Sequence, residues 1–213
     1  MHAKRTFQLV IAAPALIALS GCLSLSVEPP ESLLNLTSSA SAPAGTGSAV
    51  SGSQAIAVYT PEVPARLDVT RVPVTVSETE IAYLQDAFWV EKPARLFRRL
   101  VGETLRTRTG ALVLDTDDAP VNAPIALRGT LREFGYDATR SAVVVRFDAI
   151  RSVDGGAEDS AFETRRFEAV ESGILPEAGS VGPALNRAAN QVAGEVTEWF
   201  AEMPATGVAT AAN

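Results

Sequence analysis

The sequence predicts an α+β fold, with a mixed, largely antiparallel sheet and two helices packed on one of its faces. Two segments repeat apolar residues at helical spacing, and several shorter segments are rich in β-branched residues. Short turn sequences join the later strand segments, which indicates antiparallel hairpins. One helix interrupts the strands and the other follows the last strand. This order favours a layer of helices over one sheet.

The first strands are expected before residue 91. A brief strand is predicted at 31–36, followed by a flexible Ser/Ala/Gly loop over 37–53 whose composition cannot pack a core. Pro73 lacks the N–H group that a central strand donates, so its strand is expected at an edge or a bulge. The strand candidates of this part are 55–59, 71–76 and 80–84, the last running into 86–90.

Two helices are predicted. The first begins at Pro93, which suits the first helical turn, and ends at Gly110, a typical C-terminal stop. The second runs from about 181 to 203, with Ser180 as its N-cap, and its alanine-rich face allows close packing on the sheet. The expected buried residues of the first helix are Leu96, Phe97, Leu100, Val101 and Leu105.

Between the helices, three strands are expected to form an antiparallel meander at 124–134, 141–150 and 161–170. Residues 136–140 are predicted to turn the chain between the first two of these strands. Residues 154–159 are predicted to connect the last two. A disordered tail is expected at 204–213.

The first 21 residues have the features of a bacterial secretory signal peptide. A basic head at 1–7 precedes an apolar stretch of about a dozen residues, which is shorter than the roughly 20 residues of a membrane-spanning helix. The sequence L-S-G-C at residues 19–22 matches the lipobox, in which the cysteine thiol receives a diacylglycerol. Cys22 is therefore the predicted lipid attachment site and 22–30 a tether. A plain signal peptide with an incidental cysteine is the alternative.

The residues after Cys22 also bear on the destination of the lipoprotein. Leu23 and Ser24 follow the cysteine, so no aspartate stands next to it. In the lipoproteins that this one resembles, that arrangement favours the outer membrane over retention in the inner one. Several acyl chains hold a protein firmly, since each buried CH₂ contributes about 0.8 kcal/mol.

The composition excludes several classes of site. The only histidine is His2, so the mature chain has no imidazole for Ser-His-Asp or Cys-His catalysis or for the common zinc sites. The net charge of −7 argues against a nucleic-acid-binding protein, and losing Lys4 and Arg5 with the signal peptide makes it −9. The acidic run 115–118 is expected to be a solvated turn rather than a calcium site. No metal or other cofactor is expected.

Tyr83, Phe88 and Trp89 concentrate three aromatic side chains in seven residues of a chain that is 6% aromatic. One interpretation is a part of the core beneath the first helix. The other is an exposed apolar patch that binds a partner or a lipid tail, because aromatic residues are favoured at interfaces. Trp199 and Phe200 allow the same two interpretations. Tyr83, Phe88 and Trp89 are therefore the candidate partner-binding residues.

Residues 81–100, IAYLQDAFWVEKPARLFRRL, resemble the ABC-type transport auxiliary lipoprotein family, which includes the paraquat-inducible lipoprotein C type. The shared pattern is a strand with a tyrosine, a tryptophan soon after it, and a proline-led helix of Leu and Phe. The order of the other elements also resembles that family over most of residues 22–203. The family domain is therefore expected at 31–203.

The resemblance implies a non-enzymatic lipoprotein on the outer membrane, facing the periplasm, that serves an intermembrane lipid transport system. Such systems pair an inner-membrane ABC permease and ATPase with a substrate-binding protein of the mammalian-cell-entry (MCE) type, which is the expected partner. Contact with phospholipid and a homo-oligomer are compatible with this role. Two alternatives stay open: a periplasmic lipid-binding carrier, and an envelope hydrolase with paired carboxylates such as Glu91 and Asp115.

Overall fold

The computed structural model describes residues 32–47, 55–114, 123–153 and 161–202. These residues form one seven-stranded mixed sheet and two helices, which confirms the predicted α+β fold. The helices are α1 (Pro93–Thr109) and α2 (Ala178–Ala201), and one 3₁₀ turn covers Ala65–Leu67. The strands are β1 (Ala55–Val58), β2 (Arg71–Thr75), β3 (Ile81–Phe88), β4 (Leu112–Leu114), β5 (Ile125–Asp137), β6 (Ala142–Val153) and β7 (Ala161–Ser172).

Strand β5 is the centre of the sheet. Strand β6 pairs antiparallel with its full length on one side, and β7 pairs antiparallel with β6. On the other side, β1 pairs in parallel with the beginning of β5, and β2 pairs in parallel with its end. Strand β4 adds to β1, and β3 adds antiparallel to β2. Within the described part of the chain, β3, β4 and β7 are therefore the outer strands.

Both helices pack on one side of the sheet, which we call the helix face. The Phe97 ring of α1 lies 6.5 Å from the Phe134 ring of β5 and 5.2 Å from the Phe147 ring of β6. The Trp199 ring of α2 lies 5.6 Å from the Phe167 ring of β7. Because successive side chains of a strand point to opposite sides, the residues that alternate with these form a second surface, the open face.

Helix α1 agrees with its prediction. It begins at Pro93 and is followed by Gly110, whose φ of 67° places it in the left-handed region where glycine is favoured. The Gly110 N–H donates to the Arg106 carbonyl at 3.0 Å and closes the last turn. All five predicted apolar residues of α1 are buried.

Helix α2 begins earlier than predicted. It starts at Ala178, so Ser180 lies inside the first turn and the prediction of Ser180 as the N-cap is wrong. The capping position belongs to Glu177, whose carbonyl accepts hydrogen bonds from the N–H groups of Ser180 and Val181. The Glu177 side chain makes no capping hydrogen bond. The predicted apolar stripe, including its alanines, is buried.

In the region 80–90, the single strand β3 covers Ile81–Phe88, with a positive φ of 54° at Asp86. The register between β2 and β3 shifts between Arg71 and Pro73, which confirms the predicted bulge at Pro73. Pro73 is not at the edge of the sheet, since β2 has β3 on one side and β5 on the other.

Three other strand predictions need correction. The predicted strand at 31–36 is a single parallel bridge between Leu34 and Trp89 in its described part. Strand β5 continues through Tyr136 and Asp137, so these residues do not belong to the predicted turn. Strand β4 was not predicted. Four predicted features lie outside the described residues: the lipid site at Cys22, the acidic turn at 115–118, the connection at 154–159 and the tail at 204–213.

Candidate partner-binding surface

The structure separates the three aromatic residues proposed for partner binding. Trp89 is only 2% exposed, and its ring lies 5.4 Å from the ring of Phe134 on the helix face. Tyr83 and Phe88 are half-buried instead. Trp89 therefore belongs to the core, while Tyr83 and Phe88 remain accessible to a partner.

The bulge between β2 and β3 explains this separation. Tyr83 lies opposite Pro73, and Phe88 lies opposite Arg71, so β3 uses five residue steps where β2 uses two. An odd number of extra residues reverses the alternation of side chains along β3. Tyr83 and Phe88 consequently reach the same side of the sheet, although a regular strand would place them on opposite sides.

Arg71 connects the two accessible rings. Its guanidinium carbon lies 4.9 Å from the centre of the Tyr83 ring and 5.8 Å from the centre of the Phe88 ring. Both distances are in the range of a cation–π interaction. We call Arg71, Tyr83 and Phe88 the docking patch.

The charge of Arg71 is not neutralised within the described part of the chain. Arg71 contacts the two rings there and forms no ion pair with a described carboxylate. Arg187, by contrast, pairs with Glu171 at 2.6 Å. Arginine and aromatic residues are the residue types most enriched at binding hot spots, and this arginine still has its N–H donors for an acceptor.

The backbone of β3 adds a second feature to this surface. At one end of the strand, the Leu34 N–H donates to the Phe88 carbonyl at 2.7 Å, and the Val90 N–H donates to the Leu34 carbonyl at 2.9 Å. Toward the other end, no described strand pairs with the outer edge of β3, and Ile81 is 42% exposed. Such an edge can accept an extended segment of another protein.

Residues 34–40 form a strap across the helices. The Thr37 N–H donates to Asn186 Oδ1 at 2.8 Å, and the Ser39 N–H donates to Asn190 Oδ1 at 2.7 Å. The Asn190 amide also donates to the Thr37 carbonyl at 2.9 Å. Asn186 and Asn190 are one turn apart on α2, so they present their amides along one line. The beginning of the predicted flexible loop 37–53 is therefore hydrogen-bonded to α2.

Leu34 fixes the beginning of the strap. Its side chain occupies space that is available because residue 182 of α2 is glycine. A β carbon at Gly182 would lie 2.6 Å from Leu34 Cδ2, which is shorter than real contacts. At the strap's centre, the Ser38 hydroxyl lies 3.3 Å from the Thr104 hydroxyl of α1.

Of the two candidate hydrolase carboxylates, the structure describes only Glu91. Glu91 forms an exposed ion pair with Arg99, and Asp115 lies outside the described residues. Across 32–47, 55–114, 123–153 and 161–202, no three His, Cys, Asp or Glu side chains are grouped to hold a metal ion. The same ranges contain no helix that is both long and apolar enough to cross a bilayer.

Asp148 has a shifted pKa on the open face. A hydrogen bond from Arg166, at 2.6 Å, is the largest cause and lowers the pKa from 3.8 to about 2, against the effect of burial. Arg132 adds a second hydrogen bond at 3.0 Å. A lowered pKa keeps this carboxyl ionised at neutral pH, whereas a general acid needs a raised one. Asp148 is therefore a member of an ion-pair network rather than a proton donor.

Comparison with solved structures finds this fold in other proteins. Protein XCC0632 from Xanthomonas campestris, of family DUF330, has a TM-score of 0.65 at 18% identity, covering 79% of this chain and 94% of that one. An uncharacterized protein gives a TM-score of 0.60 at 15% identity, covering 70% and 92%. A PelC dodecamer from Paraburkholderia phytofirmans gives only 0.34 at 17% identity, covering 71% and 90%.

No curated protein matches the sequence. A family model does match, that of the ABC-type transport auxiliary lipoprotein component, over residues 35–197. This range begins within the strap, ends within α2 and includes the whole docking patch. The chain therefore belongs to the ABC-type transport auxiliary lipoprotein component family.

Proposed function

We propose that this chain is a non-enzymatic lipoprotein that docks an MCE-type substrate-binding protein of an ABC lipid transport system at the outer membrane. Membership of the transport auxiliary family supports the role in transport. The predicted lipid on Cys22 would hold the protein to the outer membrane, with the folded domain in the periplasm. The observation that carries the proposal is the docking patch, in which Arg71 lies between two accessible aromatic rings.

The docking patch suits a protein partner for two physical reasons. Tyr83 and Phe88 offer rigid apolar area, and Arg71 offers a charge that a carboxylate of the partner can neutralise. The outer edge of β3 offers backbone hydrogen bonds beside them. Docking is useful because an acyl chain that crosses water loses about 0.8 kcal/mol per CH₂, which a continuous protein path avoids.

Crosslinking in the producing bacterium followed by affinity purification tests the docking. The double variant Tyr83→Ala/Phe88→Ala is expected to recover at least tenfold less MCE protein than wild type, because hot-spot side chains each contribute about 2 kcal/mol or more. Phe162→Ala is the matched control, since Phe162 is a 70% exposed aromatic residue on a different outer strand, β7. Recovery of no MCE or ABC component with wild type, or equal recovery with the double variant, would contradict the proposal.

The anchor has a separate test. Cys22→Ala is expected to leave the domain folded and to move the protein from the membrane pellet to the supernatant, because the acyl chains supply the attachment. Fractionation after a salt wash measures this, and circular dichroism checks the fold. A variant that stays in the washed pellet would show that Cys22 is not the anchor.

The carrier alternative places a phospholipid between the sheet and the helices. The packing of α2 disfavours it, because the side of α2 that faces the sheet is closed. The residues of α2 with no exposed surface include Leu185, Ala188, Ala189, Val192, Ala193 and Val196. Native mass spectrometry of the purified protein distinguishes a carrier from a docking protein, since a carrier retains lipid near stoichiometry.

A further inference from the structure

A cavity of about 230 Å³ opens on the open face, at the junction of β2, β5 and β6. Its floor is apolar and consists of Pro73, Gly135 and Val144. Gly135 allows β2 and β5 to approach closely here, since a β carbon at Gly135 would lie 2.4 Å from the Pro73 carbonyl oxygen. The space corresponds to several water molecules at ~30 Å³ each, and it is too small for a pair of acyl chains.

Three arginines from separate elements line this cavity. Arg66 comes from the 3₁₀ turn, Arg140 from the turn after β5, and Arg146 from β6. The carboxylates of Glu133 and Asp137 lie among them. The lining therefore carries one more positive than negative group, in a chain whose net charge is −7.

The arginines differ in how strongly the carboxylates hold them. Arg66 Nη2 lies 2.9 Å from Glu133 Oε2, which is a hydrogen-bonded ion pair. Arg146 donates from Nε to the Glu168 carboxylate, and its Nη1 lies 3.6 Å from Glu133 Oε1. Arg140 Nε lies 3.8 Å from Asp137 Oδ2. The last two distances exceed that of a hydrogen bond. Arg140, whose ion pair with Asp137 is this long one, therefore has N–H donors to offer a ligand in the cavity.

We propose that this cavity binds a phosphate ester that also carries an amine, the chemistry of a phosphoethanolamine group. Guanidinium groups donate paired N–H bonds to phosphate oxygens, and Arg140 provides them here. Glu133 and Asp137 accept hydrogen bonds from the ammonium group, which makes the lining selective for a zwitterion over a simple anion. The apolar floor contacts the carbons between the two charges.

The cavity adjoins the docking patch, because Pro73 lies directly opposite Tyr83 in the ladder between β2 and β3. The proposal nevertheless stands on the geometry of the cavity alone. It does not require an MCE partner, and a failure of docking leaves it intact. The phosphate ester has two sources, a lipid headgroup or a soluble compound, which the experiment separates.

Isothermal titration of the purified full-length protein in a neutral maltoside detergent tests the proposal. The probe is glycerophosphoethanolamine, and inorganic phosphate and ethanolamine are each titrated separately. Binding of the probe, with each single group at least tenfold weaker, is expected, because only the probe satisfies both kinds of charge. No binding of the probe, or equally tight binding of inorganic phosphate, would overturn the proposal.

Two variants assign the binding to this cavity. Arg140→Gln is expected to weaken the binding of glycerophosphoethanolamine roughly tenfold or more, because charge-assisted hydrogen bonds to phosphate are lost. Arg187→Gln is the control, since Arg187 is an exposed arginine of α2 paired with Glu171, away from the cavity. Unchanged binding by Arg140→Gln, with an unchanged thermal unfolding curve, would show that the cavity is not the site.

A competition experiment identifies the source of the ester. Nanodiscs of phosphatidylethanolamine are added to the protein with bound glycerophosphoethanolamine, and nanodiscs of phosphatidylglycerol serve as the control. Displacement by the first and not by the second supports a lipid headgroup. Retention of the probe in both supports a soluble phosphate ester, and displacement by both contradicts the selectivity for an amine.

Discussion

Replacing Asn190 by alanine removes two of the hydrogen bonds that hold the strap. The side chain accepts from the Ser39 N–H at 2.7 Å and donates to the Thr37 carbonyl at 2.9 Å. Each such bond has a net value of roughly 0.5–1.5 kcal/mol, so the free energy of opening the strap should fall by about 1–3 kcal/mol. Alanine is a better helix former than asparagine by up to about 0.7 kcal/mol. Global stability should therefore change less than strap opening.

Amide hydrogen exchange measures this opening locally. Exchange of the Ser39 amide should accelerate about 5- to 150-fold, since each 1.4 kcal/mol is a factor of about ten. Gln191→Ala is the matched control, because Gln191 is the next residue of α2 and its side chain bonds to Glu195 at 3.0 Å. Equal exchange of residues 34–40 in Asn190→Ala and wild type would refute the view that these bonds hold the strap.

Two further predictions concern stability. Trp89→Ala should lower the free energy of unfolding by about 3–5 kcal/mol in urea titrations, because Trp89 packs on Phe134, whereas Tyr83→Ala should cost less than about 1 kcal/mol. In wild type, the free energy of unfolding should fall as the pH is lowered from about 4 to about 2, and in Asp148→Asn it should fall less over the same range. The Arg166 hydrogen bond lowers the Asp148 pKa in the folded state from 3.8 to about 2, so its contribution is present above pH 4 and disappears as pH falls. Urea titrations across this range check it, and identical pH profiles for variant and wild type would contradict it.

Helix α1 could be predicted from the sequence because its signals are local. Pro93 and Gly110 define its ends, and its apolar spacing defines its buried side. The start of α2 could not be predicted in the same way. Its N-cap residue, Glu177, makes no side-chain hydrogen bond, so no side-chain signal indicates the first residue, and Ser180 gave a false one.

Long-range pairing explains the remaining differences in the fold. Strand β4 is three residues long and exists because Leu112–Leu114 pair in parallel with β1, whose residues lie more than 50 positions earlier in the chain. A segment this short has no recognisable period of its own. The strap likewise depends on amides of α2 that are about 150 residues away.

The candidate site could be predicted as a concentration of aromatic residues. Which of these residues are buried and which are accessible could not be predicted. The bulge opposite Arg71 reverses the alternation in β3, and it separates Trp89 from Tyr83 and Phe88. Arg71 itself carries no local signal, since it joins the rings only through strand pairing. The cavity was missed for the same reason, because its arginines come from three separate segments.

The strap also limits the distance between the proposed anchor and the folded domain. Cys22, the proposed anchor, is 12 residues before Leu34. At about 3.3–3.6 Å per residue, this segment spans at most about 40 Å. If the strap detached from both β3 and α2, 33 residues would separate the anchor from the first residue of β1, Ala55, and the limit would rise to about 110 Å. The backbone hydrogen bonds of Leu34 to β3 and the Asn186 and Asn190 amides of α2 together therefore limit how far the docking patch can stand from the proposed anchor.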